Sequence, residues 1–263
     1  MQSRFAIFGS LRGLALTIPL WLFAGSAVGQ DATATIERIK GSIVPIGTFE
    51  RTRTPPFEFR GTAFVVGDGT LLVTNAHVLP GVLDTTRLEQ LGILLPGPDR
   101  DKVQFREAKQ VAVDPGSDLA LLKIGGTPLP AMRIRDSDGV KEGQAVMFTG
   151  FPIGAALGLF PATHRGMIAA ITPIAIPQAR SAELDPKTIR RLTTGAFPIF
   201  QLDATAYPGN SGSPVFDPAT GEVLGVINMV FVKGTKESIL AQPSGITYAV
   251  PSRYLQDLLQ KVR

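Results

Sequence analysis

Gly61-Thr62-Ala63-Phe64-Val65-Val66 and Thr70-Leu71-Leu72-Val73 are two apolar runs joined by Gly67-Asp68-Gly69. Strand-length apolar runs around an Asp-Gly turn are the sequence signature of a β-hairpin. Runs of similar length recur along the chain. Gly41 to Ile46, Leu91 to Leu95, Val103 to Glu107, Lys109 to Val113 and Leu119 to Ile124 form one set. Gln144 to Phe151, His164 to Ile171, Phe197 to Asp203, Ser213 to Phe216, Val223 to Phe231 and Ile246 to Val250 form a second. Between the sets, Gly125 to Glu142 is rich in Gly, Pro and charge and reads as a connection. The polar, proline-containing stretch Glu50 to Glu58 reads as a loop. With 28 Gly and 21 Pro to make short connections, the chain is expected to be all-β, a barrel or sandwich. Tyr254-Leu255-Gln256-Asp257-Leu258-Leu259 has apolar residues at helical spacing and reads as a closing helix.

Residues 1–29 read as a secretory signal peptide. Arg4 and Arg12 give the positive start, Leu14 to Ala24 is uncharged, and Ala27-Val28-Gly29 offers small residues for cleavage. The apolar run is short for a membrane span of about 20 residues, although an uncleaved anchor remains an alternative. Arg4 and Arg12 are the only charges in this stretch, so cleavage lowers the formal charge of +4 by two. So small an excess argues against a nucleic-acid partner, and cleavage leaves no stable membrane association. The chain has no cysteine. An exported protein without disulfides is stabilised by its core, which fits a bacterial periplasmic or secreted location.

Three stretches carry chemistry. Thr74-Asn75-Ala76-His77-Val78 ends one apolar run, and Asp114-Pro115-Gly116-Ser117-Asp118 precedes another. Pro208-Gly209-Asn210-Ser211-Gly212-Ser213-Pro214 is a tight turn between apolar runs. Glycines on either side of Ser211 let consecutive N–H groups converge on one small space. Acyl transfer needs such a nucleophile with donors beside it, and a base within reach, because a free serine hydroxyl is weak. The order His77, Asp118, Ser211 is that of chymotrypsin-type proteases.

On these motifs the chain resembles the trypsin-like serine proteases over about residues 35–262, and within them the HtrA/Deg-type bacterial enzymes. The resemblance implies two antiparallel six-stranded β-barrels with a cleft between them. An N-terminal barrel over about 35–130, a C-terminal barrel over about 141–250 and a helix over 251–262 are expected. It implies a serine endopeptidase of unfolded or extended polypeptides in the cell envelope. His77 is then the base, Asp118 its orienting acid and Ser211 the nucleophile, with the N–H groups of Gly209 and Ser211 as oxyanion donors. Asp114 is the competing acid. Asp118 is preferred because it abuts the strand and because Asp118-Leu119-Ala120-Leu121-Leu122 resembles the family's motif. His164, with polar neighbours and no nearby acid, reads as a solvated strand-end histidine.

Gly150-Phe151-Pro152-Ile153-Gly154 resembles the Gly-Asn-Pro-Phe-Gly loop of HtrA-type enzymes, which helps order the active site. The run Ala155 to Phe160 either lines the cleft or packs between protomers of a homo-oligomer. HtrA-type relatives usually carry PDZ domains beyond the protease, and none is expected here. One departure is Gly212-Ser213, where those relatives have Gly-Gly. Gly-Asn-Ser-Gly-Ser-Pro also occurs in glutamyl endopeptidases of the same fold, which leaves a glutamyl-specific secreted protease as an alternative. A non-catalytic peptide-binding or chaperone module is another. By position Thr205 and Asn228 are the S1 candidates. Both are uncharged, which favours apolar P1 residues over Lys, Arg or Glu. Residues 176–196 read as a charged insertion, a surface loop. No metal or cofactor is expected, since two unpaired histidines and no cysteine give no ligand set.

Overall fold

The computed structural model describes residues 32–97, 103–154, 158–173, 197–228 and 245–262. The expected signal peptide and the 176–196 insertion lie outside the described residues. Two closed antiparallel barrels make up the body of the chain. The first contains β1 (Ile43–Phe49), β2 (Phe57–Val66), β3 (Leu71–Asn75), β4 (Gln90–Pro96), β5 (Val103–Asp114) and β6 (Leu119–Ile124), in spatial order β1-β2-β3-β6-β5-β4. The second contains β7 (Ala145–Gly150), β8 (Ala162–Pro173), β9 (Pro198–Asp203), β10 (Pro214–Phe216), β11 (Val223–Ile227) and β12 (Ile246–Pro251), in order β10-β11-β12-β9-β8-β7. Helix α1 (Ala32–Lys40) precedes the first barrel and α2 (Ser252–Gln260) follows the second. The expected double-barrel architecture with a closing helix is therefore present.

Alternation along the strands explains why so many runs are continuously apolar. On β2, Ala63 and Val65 point into the first barrel, while Phe64 and Val66 point out of it. On β6, Leu122 and Ile124 point in and Leu119 and Leu121 point out. The outward residues meet Phe216, Val226 and Val250 of the second barrel in one buried cluster. Both faces of these strands are therefore buried, so neither has a reason to be polar. Phe64 is fully buried, and Phe64→Ala is expected to cost about 3–5 kcal/mol.

The terminal helices cross over. Ile39 of α1 joins the inter-barrel cluster, and α1 docks on the second barrel: Arg38 Nη2 donates to Thr220 O at 2.7 Å and Thr35 Oγ1 to Ala219 O at 3.1 Å. Helix α2 buries Leu255 and Leu258 in the same cluster and packs on β5 and β6 of the first barrel as well as on β11. The expected connection after β6 is bonded to both barrels: Met132 N–H donates to Val65 O at 2.8 Å, and Arg135 N–H to Val223 O at 3.0 Å.

Two readings of the sequence change. The runs Val103 to Glu107 and Lys109 to Val113 are one strand, β5, which a register shift between Gln110 and Ala112 bends around the barrel. Helix α1 has no counterpart in the strand-based reading. Its nine residues are too few to show a helical period against their polar neighbours, and its place depends on the distant Ala219-Thr220 turn.

Candidate active site

Strands β3 and β6 pair with Asn75 opposite Leu119, so the residues just past their paired ends are neighbours. His77 lies in a single helical turn, Ala76–Val78, after β3. Asp118 lies just before β6 in the left-handed region, at φ 57°, which aspartate tolerates better than most residues. Its carbonyl accepts from Ala76 N–H at 3.0 Å and Asn75 Nδ2 at 3.1 Å. Its buried carboxylate accepts from the His77 backbone N–H at 2.9 Å and faces His77 Nδ1 at 2.6 Å. Asn228 Nδ2 donates to the same Oδ2 at 2.7 Å. A buried carboxylate needs such donors to remain charged. Because the carboxylate accepts, the His77 proton belongs on Nδ1 and the Nε2 lone pair is left to face Ser211 Oγ, 3.0 Å away. Asp114 is not part of this set. It closes its own turn, accepting from Gly116 N–H and Ser117 Oγ, both at 2.9 Å.

Ser211 sits in the turn between β9 and β10. Gly209 takes φ 101°, and a Cβ there would collide with Phe151 O. Only glycine fits such a position. The turn is fastened from both barrels. Thr62 N–H donates to Ser211 O at 2.9 Å and Thr62 Oγ1 to Gly209 O at 2.8 Å, while Gly212 N–H donates to Ile227 O at 3.0 Å. Among the described residues, the N–H groups of Gly209 and Ser211 have no acceptor. Behind the turn, Ser213 is fully buried with Oγ against Gly150, where a Cβ would occupy the same space. The serine that departs from Gly-Gly is thus accommodated by the glycine that ends β7.

Two of the sequence expectations need correction. Asn228 is fully buried and spends its amide N–H on Asp118 rather than offering it to a P1 side chain. Alternation carries the signal: Ile227 points into the second barrel, so Asn228 shares the inter-barrel side with Val226. His164 is not a solvated strand-end residue. The register of β7 and β8 sets it opposite the buried Phe148, and the rings stack at 4.8 Å with 14° between planes. The Tyr207 ring lies 6.1 Å away, tilted by 45°. Burial lowers the His164 pKa below the ordinary histidine value. Thr205, the other S1 candidate, is partly buried six residues before Ser211. Among the described residues no cluster of side chains could hold a metal ion.

Residues 61–226 match the family model of the trypsin-like peptidase domain. A probable periplasmic serine endoprotease, DegP-like, of Marinomonas sp. (strain MWYL1) is 28% identical over 203 residues, covering 77% of this chain and 35% of that protein. The same-named protein of Pseudomonas putida (strain W619) is 29% identical over 191 residues, covering 73% and 32%. The chain thus spans about a third of the length of the curated relatives it matches. A solved structure of a variant of the HtrA-type protease AlgW with tripeptide superposes with a TM-score of 0.61 at 26% identity, covering 88% of this chain and 63% of that one. With the match running from β2 to β11, the chain belongs to the trypsin-like peptidase family.

Proposed function

We propose that the chain is a serine endopeptidase that hydrolyses peptide bonds through His77, Asp118 and Ser211. The observation that carries this reading is the 3.0 Å approach of His77 Nε2 to Ser211 Oγ, with Asp118 Oδ2 2.6 Å behind Nδ1. Ser211 Oγ attacks the scissile carbonyl carbon while His77 Nε2 takes its proton. The carbonyl oxygen becomes an oxyanion, received by the N–H groups of Gly209 and Ser211. His77 then gives the proton to the leaving amine, and the acyl group stays on Ser211. Water, deprotonated by the same nitrogen, attacks the ester and releases the acid. Asp118 holds the tautomer and stabilises the imidazolium throughout.

The substrates proposed are unfolded or extended polypeptides of the cell envelope, a location supported by the periplasmic naming of the relatives. An extended chain binds by adding a strand to a sheet edge, with affinity drawn from its main chain. With the Asn228 amide bonded to Asp118, the P1 preference rests on Thr205, whose neutral side chain offers a buried charge no partner. Apolar P1 residues are therefore expected over Lys, Arg and Glu.

Labelling with a fluorophosphonate probe tests the reading. Wild-type protein is expected to react and Ser211→Ala to be inert with its melting temperature unchanged. Wild type left unlabelled, or Ser211→Ala still hydrolysing peptide at the wild-type rate, removes the mechanism. Mass spectrometry of cuts in a denatured protein mixture reads P1, and cuts mostly after Glu would establish glutamyl specificity instead.

A further inference from the structure

We propose that Ile153 is a positioning residue that aims the Gly209 oxyanion donor through its own backbone N–H; the inference rests on the peptidase reading above. Ile153 has φ 57°, in the left-handed region. A β-branched residue enters that region against steric opposition. Such a conformation persists only where its surroundings over-determine it, and it gathers at functional sites. The partner here is specific: the Ile153 N–H donates to the Pro208 carbonyl at 2.7 Å.

That carbonyl belongs to the peptide that ends in the Gly209 N–H. In a trans peptide, C=O and N–H point to opposite sides of one rigid plane. Holding the Pro208 carbonyl toward Ile153 therefore turns the Gly209 N–H the other way. Nothing else among the described residues holds that N–H. Gly209 allows its preceding peptide plane to rotate at little steric cost, so the plane needs an external hold. The turn that presents Ile153 is itself braced: Phe151 N–H donates to Thr62 Oγ1 at 3.1 Å, and Gly154 N–H to Phe151 O at 3.3 Å. The Phe59 ring, from the first barrel, lies edge-on to Phe151 at 6.4 Å and against Gly209. Released from these contacts, Ile153 relaxes to negative φ and its N–H leaves Pro208. The oxyanion donor is thereby tied to the docked state of the Phe151–Gly154 turn.

Replacing residue 153 by its α-hydroxy analogue, which turns one amide into an ester, removes the donor from the full chain without changing the side chain. In this variant kcat on a peptide substrate is expected to fall about 10-fold or more, with KM within about twofold. Affinity for a peptidyl boronate, whose tetrahedral oxygen occupies the oxyanion position, is expected to fall by the same factor. Ile153→Gly keeps the N–H but frees the backbone, and its kcat is expected between wild type and the ester variant. A merely structural bond would lower the melting temperature and leave kcat within about twofold of wild type, and that result overturns the proposal. The carbonyl ¹³C resonance of Pro208 and the amide resonance of Gly209 are read on the same proteins and are expected to move in the ester variant. If wild type neither cleaves peptide nor takes fluorophosphonate, the peptidase reading fails, while the hold on the peptide plane is still judged by these resonances. Both unmoved overturns it.

Discussion

In the proposed mechanism the first barrel supplies an acid and a base and the second supplies a nucleophile, yet neither barrel holds its own contribution alone. Asp118, on the first barrel, takes a hydrogen bond from Asn228 of the second. The Ser211 turn, on the second, is fastened by Thr62 of the first through both its backbone and its hydroxyl. The helices repeat the exchange, α1 docking on the second barrel and α2 packing on both. What separates the barrels is the kind of fastening. Asp118 is fixed mainly by Asn75 at the end of β3 and by Ala76 and His77 in the turn after it, with Asn228 as an addition. The serine turn, by contrast, takes two of its backbone fastenings from across the cleft, both from Thr62.

Removing the chemistry of either barrel has the largest effect. Asp118→Asn is expected to lower kcat on the order of 10⁴-fold through the wrong histidine tautomer. Combining it with Ser211→Ala is expected to cost no more than Ser211→Ala alone, since residues acting as one unit are not additive. A double variant much worse than the single one would mean that the two barrels act independently.

The cross-cleft bonds come next. Asn228→Ala leaves a buried carboxylate oxygen short of a donor, and a loss of about 1–3 kcal/mol in stability is expected, with kcat down about tenfold. Unchanged kcat would show that the end of β3 and the turn after it fix Asp118 without help from the second barrel. Thr62→Val removes only the hydroxyl bonds and keeps the N–H to Ser211 O. A loss of about fivefold in kcat is expected, the equivalent of about 1 kcal/mol. A larger loss than that of Asn228→Ala would reverse the ranking of the two sites.

The smallest effect lies within the second barrel alone. Burial holds His164 below its ordinary pKa of 6.5, so the unfolded chain binds that proton more readily than the folded one. Stability therefore falls as pH drops below about 6.5, and this residue has no effect above it. His164→Phe keeps a stacking ring and removes the proton. Its melting temperature relative to wild type is expected to rise between about pH 7 and pH 5. A constant difference over that range would mean that His164 is solvated after all.

Much of this was legible in the sequence where local pattern and final structure agree. The hairpin around Gly67-Asp68-Gly69, the double set of strands and the three motif-bearing turns depend on neighbours in the chain, and the turns come together at the observed distances. What was not legible depends on partners far away. The role of Asn228 is set by a residue 110 positions earlier, although its side of the strand follows from alternation. The burial of His164 follows from the β7 and β8 register, which polar neighbours in sequence do not reveal. The backbone of Ile153 has no sequence signature, because its conformation answers to Pro208 and not to its own side chain.

The position of Asn228 also bears on how such a chain survives its own making. Its backbone N–H donates to Tyr248 O at 2.9 Å, so β12 helps hold it. Asn228 in turn completes the donors around Asp118, and Gly212 hangs from its neighbour Ile227. A nascent chain that has folded only as far as β6 has its histidine and aspartate but no serine turn. One that has reached β11 still lacks the strand that steadies Asn228. On the proposed mechanism, full hydrolytic competence arrives with the last strand, when the chain no longer offers itself as the kind of unfolded substrate proposed above.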